Sequence, residues 1–391
     1  MQPIYLDHNA TTPVDPRVLE AMLPYLREHF GNASSKSHAF GWKANEAVEA
    51  ARAHVAALLG SEAREVVFTS GATEANNLAL LGLFPPSRMP AKRHVITGAI
   101  EHHAVLDTVA ELRRRGAEIT VLRPDVHGRV SAEMVKGAIT DRTAVVSIMA
   151  ANNELGTLNP IAEIGKTARG AGVLFHTDAA QAAGKVPLDV EAMGIDLLSL
   201  SGHKFYAPKG VGALYVRGRN PRVHLAPVQF GGGQERALRP GTLNVPGIVG
   251  LGEACRLARE DLAGEARRLG ELRDRLEAGL LRRLPKVRVN GHKEERLPGT
   301  ANVSFDGIEV TSLLASLPDI ALSPGSACTT GSAEPSYVLK AIGLTDREAF
   351  GTVRFSVGRF TTEDEIDRAV ESVSRAVETL RRQMAAVNAG R

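Results

Sequence analysis

Apolar and polar positions follow two different periods in the first half of the chain. Short apolar runs rich in β-branched residues predict strands, and the segments between them carry apolar residues at helical spacing. In Lys43–Leu59, for example, Ala44, Val48 and Val55 fall on one side, and Gly60 follows as a residue that tolerates a left-handed cap. The predicted strands are Val66–Phe68, Val95–Thr97, Ile119–Leu122, Ala144–Met149, Val173–His176, Leu197–Leu200 and Ala213–Val216. This alternation predicts an α/β fold with one large, mostly parallel sheet flanked by helices.

The pattern changes in the second half, where strands are fewer and helical segments are longer. Helical spacing covers Val245 to about Leu284 and again Glu363 to about Ala385. Further strands are predicted at Val287–Val289, Ala301–Phe305 and Thr352–Phe355. We predict a large domain at residues 16–255 and a smaller α+β domain formed by residues 1–15 and 256–391. A cleft between two such domains is a common site for a small molecule.

The composition and the charge exclude several classes of protein. The 391 residues are 43% hydrophobic and 23% charged, which is typical of globular domains and not of disordered or fibrous chains. Lys and Arg number 47 against 44 for Asp and Glu, and the resulting net charge of +3 gives no support for direct nucleic-acid binding. The chain has no run of about 18 apolar residues and no signal-peptide profile, so we expect a cytoplasmic protein without a membrane partner.

At Val66–Glu74 a predicted strand leads through small residues into a helical pattern. Ser70, Gly71, Ala72 and Thr73 would present backbone N–H groups and hydroxyls, as in a phosphate-binding turn. The spacing matches neither a Walker loop nor a dinucleotide fingerprint, so nucleotide cofactors are disfavoured. Taken alone, the pattern is explained equally well by an ordinary strand-to-helix turn capped by a hydroxyl.

Two other strands lead into residues that can anchor a cofactor. One runs through Ser201 and His203 into Lys204, where burial would lower the pKa of the lysine and favour the neutral amine that forms a Schiff base. Another leads to Asp178, whose carboxylate can keep a pyridine nitrogen protonated. A lone lysine at a strand end more often reaches into solvent. Together, however, the lysine, the aspartate and the phosphate-binding turn are the three anchors of pyridoxal 5′-phosphate.

Two histidines follow the strand at Val95–Thr97. The run Glu101-His102-His103, with Asp107 four residues after His103, can be interpreted as a metal site. Zinc needs three or four ligands within mutual reach, and no further cluster stands at a convincing spacing. We therefore favour His102 as a ring that stacks on a planar cofactor.

The two cysteines have different surroundings in the sequence. Cys255 lies within a helical pattern, and we predict that it is packed and inert. Cys328 lies among the small residues of Ser323–Ser332, which favour an accessible thiol. An accessible thiol in a cofactor enzyme indicates a nucleophile, although loop cysteines can also be bystanders.

A series of short motifs runs through the chain in a fixed order. They are Tyr5–Pro13, Phe30–Asn32, Thr69–Glu74, Asn152–Glu154, His176–Ala179, Ser201–Lys204, Gly231–Arg236, Gly325–Thr329 and Arg354–Ser356. With these motifs the chain resembles the cysteine desulfurases of the NifS/IscS kind, in the class-V branch of fold-type-I pyridoxal-phosphate enzymes. The resemblance covers nearly the whole chain. It implies a large domain with a seven-stranded sheet and a smaller α+β domain that carries the thiol loop.

The resemblance also implies a role for individual residues. Lys204 would form the Schiff base with the cofactor, Asp178 would pair with its pyridine nitrogen, and His102 would stack on its ring. Gln181 and Asn153 would contact the ring or the substrate. The phosphate would be bound by Ala72, Thr73, Ser201 and His203, and by Thr242 from the partner subunit of a homodimer. Arg354, with Asn32 nearby, would bind the substrate carboxylate.

The reaction implied by the resemblance converts L-cysteine to L-alanine. Lys204 moves the α-proton, and the thiolate of Cys328 attacks the substrate sulfur and retains it as a persulfide, with His102 assisting. The sulfur would pass to an iron–sulfur scaffold or another acceptor protein, for cluster assembly or tRNA thiolation. No resident metal is implied, although Cys328 would be able to contact a transient iron–sulfur cluster.

Three alternatives remain open from the sequence. Another class-V enzyme, such as a selenocysteine lyase or an aminotransferase, would share the fold and the cofactor anchors. A sulfur carrier or scaffold without cofactor would not need Lys204, Asp178, Gln181 and His102. A metal hydrolase built on His102 and His103 is the least favoured.

Overall fold

The computed structural model describes residues 3–85, 91–324 and 334–389. Cys328 lies outside these residues. Each of the seven strands predicted for the first half is present, with its ends within two residues of the predicted ones. The strands up to residue 216 are β1 (Ile4–Tyr5), β2 (Val66–Thr69), β3 (His94–Gly98), β4 (Glu118–Leu122), β5 (Thr143–Ser147), β6 (Leu174–Asp178), β7 (Leu197–Ser201) and β8 (Gly212–Val216).

Seven of these strands form one sheet in the order β2-β8-β7-β6-β5-β3-β4. Strand β8 is antiparallel to both of its neighbours, and the remaining pairs are parallel. The predicted α/β fold with a mostly parallel sheet is therefore confirmed. Since β2, β3, β5, β6 and β7 point the same way, the loops that follow them meet at one edge, which we call the carboxyl edge of the sheet.

Helices connect the strands along the chain and pack on the sheet. Those in the first part of the chain are α1 (Pro16–Arg27), α2 (Ala39–Leu59), α3 (Ala72–Leu83), α4 (His103–Arg114), α5 (Ala132–Ala138) and α6 (Ile161–Gly170). Helix α2 ends at Gly60, which has φ +68° as the sequence predicts. It begins four residues before the predicted Lys43, because the His38 ring caps the Gly41 N–H at 3.2 Å.

The helical pattern after residue 245 forms two helices. They are α7 (Val245–Glu260) and α8 (Leu262–Arg283), separated at Asp261, whose φ of −132° and ψ of 32° are not helical. Helix α7 packs against α1 and α2. Cys255 in α7 is fully buried, so the prediction that it is packed is confirmed, and burial raises the pKa of its thiol, as expected for the predicted inert role.

The remaining strands build a second sheet. The elements are β9 (Val287–Asn290), β10 (Thr300–Phe305), α9 (Val310–Ala315), β11 (Ile320–Ala321), β12 (Ser323–Pro324), α10 (Tyr337–Ala341), α11 (Asp346–Phe350), β13 (Thr352–Ser356) and α12 (Glu363–Ala389). The sheet order is β12-β13-β10-β9, and β1 pairs with β11 in parallel. One apolar cluster joins Ile4 and Leu6 to residues of α8, β10, β13 and α12. The division into two domains stays a prediction.

None of the helices in the described residues is long and apolar enough to cross a membrane.

Candidate active site

A cavity of about 610 Å³ opens at the carboxyl edge of the large sheet. Its walls come from the loops after β2, β3, β5, β6 and β7, from the amino-terminal segment around Asn9, and from β13. The predicted site residues that line it are Ala72, Thr73, His102, Asn153, Asp178, Gln181, Ser201, His203, Lys204 and Arg354. Residues separated by up to a few hundred positions in the chain therefore share one site.

The proposed phosphate-binding turn lies at the start of α3. Gly71 is the residue before the helix and has no side chain to cap it, so the first N–H groups of α3 are not used by a cap. The backbone at Gly212 of β8 passes so close that a Cβ there would lie 2.6 Å from the Gly71 Cα, which explains a glycine at that strand end. Glu74 accepts a hydrogen bond from the Ser70 N–H at 2.8 Å and fixes the turn.

His203 forms another wall of the cavity near this turn. Its Nδ1 lies 3.1 Å from the Thr11 hydroxyl. Burial, followed by the positive charges of Lys204 and Lys209, lowers the pKa of His203 to about 4. The ring is therefore neutral at physiological pH, and it acts by hydrogen bonding.

Lys204 ends a short 3-10 turn that directly follows β7. Its Nζ donates to the carbonyl oxygens of Asn9 at 2.7 Å and Ala10 at 2.8 Å. The amino-terminal segment thus holds the lysine amine at the cavity. The sequence indicated the strand that leads to Lys204, but not these carbonyl partners, which lie almost 200 residues earlier.

Asp178 lies at the end of β6 and is nearly fully buried. One carboxylate oxygen accepts from the Asn76 side-chain amide at 2.7 Å, and the other accepts from the Ala180 N–H at 2.9 Å. These two bonds orient the carboxylate. Asn76 was missed by the sequence analysis, and its only signal is a polar residue within the apolar pattern of α3.

His102 is the residue before α4, and its ring caps that helix. Its Nδ1 accepts from the Ala104 N–H at 3.0 Å, which places the proton of the neutral ring on Nε2. Burial lowers the pKa of His102, while the negative charge of Asp178 acts in the opposite direction. His102 is therefore mainly neutral and can present a flat, uncharged ring to a ligand.

His103 has other contacts. It packs edge-on against Tyr337, with ring centres 5.2 Å apart, and its Nδ1 lies 3.6 Å from Asp107. Within residues 3–85, 91–324 and 334–389, no group of three or more His, Cys, Asp or Glu side chains is arranged to hold a metal ion.

Arg354 on β13 is almost fully buried and lines the cavity. Its Nη2 donates to Asp7 at 2.7 Å and to the Ser323 hydroxyl at 3.1 Å, and its Nη1 donates to the Asn153 carbonyl at 3.0 Å. Its Nε is buried and has no hydrogen-bond partner among the described residues. Asp7, Ser323 and Asn153 thus hold the guanidinium in place, and its Nε–H remains an unused donor among the described residues.

Two predicted site residues, Asn32 and Thr242, are not among the described residues that line this cavity. Asn32 is exposed, and its side chain accepts from the Ser34 N–H at 2.9 Å within its own loop. Thr242 is exposed and lies outside the lining. Cys328 falls in the stretch 325–333 that the structure does not describe.

The sequence analysis gave no role to Asn9, which connects several parts of the site. Its side-chain amide donates to the Thr300 hydroxyl at 2.9 Å, while its carbonyl accepts from both Lys204 and Gln181. Asn9 belongs to the motif Tyr5–Pro13, so its position was noted but its contacts were not. Such contacts depend on the tertiary fold and leave no local pattern.

Comparisons with known proteins identify the family to which the chain belongs. Residues 4–369 match the family model for aminotransferase class-V. The chain belongs to this family. The cysteine desulfurase IscS of Anaeromyxobacter dehalogenans (strain 2CP-C) is 55% identical over 379 residues, which cover 97% of this chain and 93% of that protein. The cysteine desulfurase IscS of Shewanella sp. (strain ANA-3) is 50% identical over 381 residues, which cover 97% and 94%.

Solved structures agree with the sequence relatives. A NifS-like protein has a TM-score of 0.89 and 38% identity, with 97% of this chain and 100% of that chain covered. The X-ray structure of a NifS-like protein from Rickettsia africae ESF-5 has a TM-score of 0.85 and 30% identity, with 96% and 100% covered. Two predictions are therefore confirmed: the family resemblance that the motifs indicated, and the fold class.

Proposed function

We propose that this protein is a cysteine desulfurase that depends on pyridoxal phosphate, converts L-cysteine to L-alanine and transfers the sulfur to Cys328. The observation that carries the proposal is the single cavity in which Lys204, Asp178 and the start of α3 come together. The names of relatives at 50 to 55% identity support the same activity.

The cavity has the polar groups that this cofactor requires. Asn76 and Asn153 line it, and each has a buried side-chain oxygen without a hydrogen-bond partner among the described residues. Such oxygens are costly unless a ligand or water completes them. In addition, the N-terminus of α3 favours an anion.

Each site residue would bind a different part of the cofactor. Ala72, Thr73, Ser201 and His203 would bind the phosphate, and Asp178 the pyridine nitrogen. His102 would lie against the ring, Gln181 and Asn153 would bind polar groups at its rim, and Lys204 would bind its aldehyde carbon. When bound, pyridoxal phosphate withdraws electrons from the α-carbon of an amino acid.

The protein groups supply binding and proton transfer. Arg354 would bind the substrate carboxylate, and the Asp7 contact keeps its guanidinium in place. The Lys204 amine, held by the Asn9 and Ala10 carbonyls, would take the proton from the substrate α-carbon and return a proton to the product. The Nε2–H of His102, which lines the cavity, would exchange a proton with the sulfur.

Sulfur transfer needs no external oxidant or reductant. The Cys328 thiolate forms an S–S bond with the substrate sulfur while the substrate C–S bond breaks. The electron pair of that bond stays on the substrate carbon, which takes up a proton. The products are L-alanine and a persulfide on Cys328, so atoms and electrons balance.

We also propose a homodimer. Four aromatic side chains are strongly exposed: Phe230 at 88%, Phe30 at 72%, Trp42 at 59% and Phe40 at 56%. Phe30 and Phe40 lie in contact, with ring centres 5.7 Å apart. Apolar surface of this kind favours a protein partner. A second copy covering it would allow Thr242, which follows Phe230 by twelve residues, to reach the partner's phosphate.

The cellular context completes the proposal. We place the enzyme in the cytoplasm, where an iron–sulfur scaffold or another sulfur acceptor would receive sulfur from Cys328. The two domains would be residues 16–255, and residues 1–15 with 256–391.

The activity is tested by incubating the purified protein with L-cysteine and measuring alanine and sulfide. We expect a yellow protein that forms both products, and a Lys204→Ala variant that forms neither. Lys166→Ala, a substitution on the exposed face of α6, is the matched control and should retain activity. Conversion of another amino acid to its keto acid, with L-cysteine unchanged, would instead indicate an aminotransferase; a strong preference for selenocysteine would indicate a selenocysteine lyase.

A further inference from the structure

A second lysine lies behind the proposed cofactor site. Lys185 follows Gln181 by four residues, and its Nζ donates to Gln181 Oε1 at 2.9 Å and approaches Asn9 Oδ1 at 3.5 Å. It is not among the residues that line the main cavity. Its contacts are nevertheless to two residues that lie at the cavity.

The contacts of Lys185 form part of a chain of hydrogen bonds that ends at Lys204. Gln181 Nε2 donates to the Asn9 carbonyl at 2.9 Å, and Lys204 Nζ donates to the same carbonyl at 2.7 Å. Gln181 is nearly fully buried. The Gln181 amide therefore joins Lys185 on one side to the Asn9 carbonyl and Lys204 on the other.

Lys185 and the Asn9 carbonyl select the same orientation of the Gln181 amide. An amide can be rotated by half a turn with little change in shape, and hydrogen bonds select the orientation. The Nζ of Lys185 donates to Gln181 Oε1, so the amide oxygen lies on the Lys185 side. The amide nitrogen then faces the Asn9 carbonyl, and its second hydrogen remains for a ligand in the cavity.

The surroundings of Lys185 make an ordinary structural role costly. The residue retains some exposure, but protein encloses its Nζ, and burial followed by the charges of Lys204 and Arg354 lowers its pKa to about 7. Glu265 of α8 acts in the opposite direction, and His8 lines the same small cavity beside Lys185. An apolar residue would avoid this cost, so a lysine here indicates a use for its hydrogen bonds.

We propose that Lys185 is a positioning residue that orients Gln181, so that the Gln181 amide nitrogen donates to an acceptor on the cofactor ring. The inference rests on the proposed function, because it takes pyridoxal phosphate as the ligand of the cavity. Lys185 itself acts through Gln181.

The test is a double-mutant cycle on cofactor affinity. The dissociation constant of pyridoxal phosphate is measured by absorbance titration of the apo-protein for the wild type, Lys185→Met, Gln181→Ala and the double variant. We expect Lys185→Met to weaken binding about five- to tenfold, the size of one hydrogen bond. In the Gln181→Ala background, the same change should weaken it less than about twofold, because the two residues act as one unit.

Three comparisons keep the outcome interpretable. Urea unfolding of each apo-protein establishes that the variants fold, and Lys185→Gln serves as a second variant that shortens the side chain. Lys185→Arg retains a donor and should restore part of the affinity and the absorbance maximum of the bound cofactor. Equal losses from Lys185→Met in both backgrounds would overturn the positioning role alone. A wild-type protein that binds no pyridoxal phosphate would overturn the proposed function and this inference with it.

Discussion

At the scale of single residues, the side chains that support the site are as informative as those that line it. The sequence identified Asp178 and Lys204, because each follows an apolar strand and such strand ends bind ligands in α/β proteins. It did not identify Asn76, Asn9 or Lys185. The bonds from Asn76 to Asp178 and from Lys204 to Asn9 join residues 102 and 195 positions apart, so no local pattern announces them.

The bond from Asn76 to Asp178 leads to the first residue-scale prediction. In Asn76→Ala, one oxygen of the buried Asp178 carboxylate loses its partner, so the carboxylate is less well held for a pyridine nitrogen. We expect the dissociation constant of pyridoxal phosphate to rise about ten- to a hundredfold, as for a hydrogen bond to a charged group. Asn77→Ala is the matched control, since the partly exposed Asn77 side chain donates to the Thr73 carbonyl within α3 and not to Asp178. Equal affinities in the two variants would argue against this support of Asp178.

Glu154 leads to a prediction about pH. This carboxyl group is buried and accepts a hydrogen bond from the Ser336 hydroxyl at 2.6 Å, and burial raises its pKa from 4.5 to about 7. Between pH 4.5 and about 7, Glu154 therefore keeps its proton in the folded state, whereas the unfolded chain has released it. The associated stability is fully present below pH 4.5 and is lost as the pH rises through about 7.

Glu154→Gln removes this titration and retains an oxygen for Ser336. The free energy of unfolding of the wild type, relative to Glu154→Gln, should fall as the pH rises from 5 to 8, by at most about 1.4 kcal/mol per pH unit. Urea unfolding at four pH values measures the difference. The free energy of unfolding of Glu163→Gln, a change at an exposed position on α6, should depend on pH in the same way as that of the wild type. A constant difference for Glu154→Gln would show that Glu154 titrates normally.

At the scale of helices and strands, the sequence predicted most of the architecture. Six strands of the large sheet are buried at nearly every position, which explains why their apolar pattern was clear, whereas the edge strand β4 is only partly buried. The starts and breaks of helices were less clear. The His38 cap that extends α2 and the break at Asp261 depend on single hydrogen bonds and backbone angles, not on periodicity.

The contact between α2 and α7 gives a prediction at this scale. A Cβ added at Gly252 of α7 would lie 2.6 Å from the Ala51 Cβ, so Gly252→Ala would force the two helices apart. We expect a loss of about 1–3 kcal/mol in the free energy of unfolding. Gly137 of α5 has no neighbour within 4 Å of an added Cβ, so Gly137→Ala should instead stabilise by about 0.5–1 kcal/mol. Urea unfolding measures both changes, and losses of similar size would contradict the packing argument.

At the scale of the whole molecule, the sequence predicted the convergence of distant motifs, and only the family resemblance assigned one residue, Thr242, to a partner's site. Asn32 and Thr242 are exposed in the single chain and lie outside the cavity lining. The role of Thr242 stays a prediction that the proposed homodimer would fulfil, because a local sequence pattern does not distinguish a residue that serves its own site from one that serves a partner's.

The exposed aromatic surface predicts how dimerisation and cofactor binding are linked. Replacing both Phe40 and Phe230 by Glu should produce a monomer in sedimentation experiments, because charges then replace the apolar contact area. The variant should also bind pyridoxal phosphate more weakly, since Thr242 of a second copy is lost. Met384→Glu, at an exposed position on α12, is the control and should remain dimeric. A monomeric wild type would contradict the proposal.

The central claim is that sulfur from L-cysteine reaches Cys328. The most direct measurement is mass spectrometry of the protein after brief exposure to L-cysteine, with alanine measured in the same samples. We predict one added sulfur atom on the peptide containing Cys328 in the wild type and in Cys255→Ala, and neither persulfide nor alanine in Cys328→Ser. Alanine formed at an undiminished rate by Cys328→Ser would contradict the account and indicate a class-V enzyme that does not use this thiol.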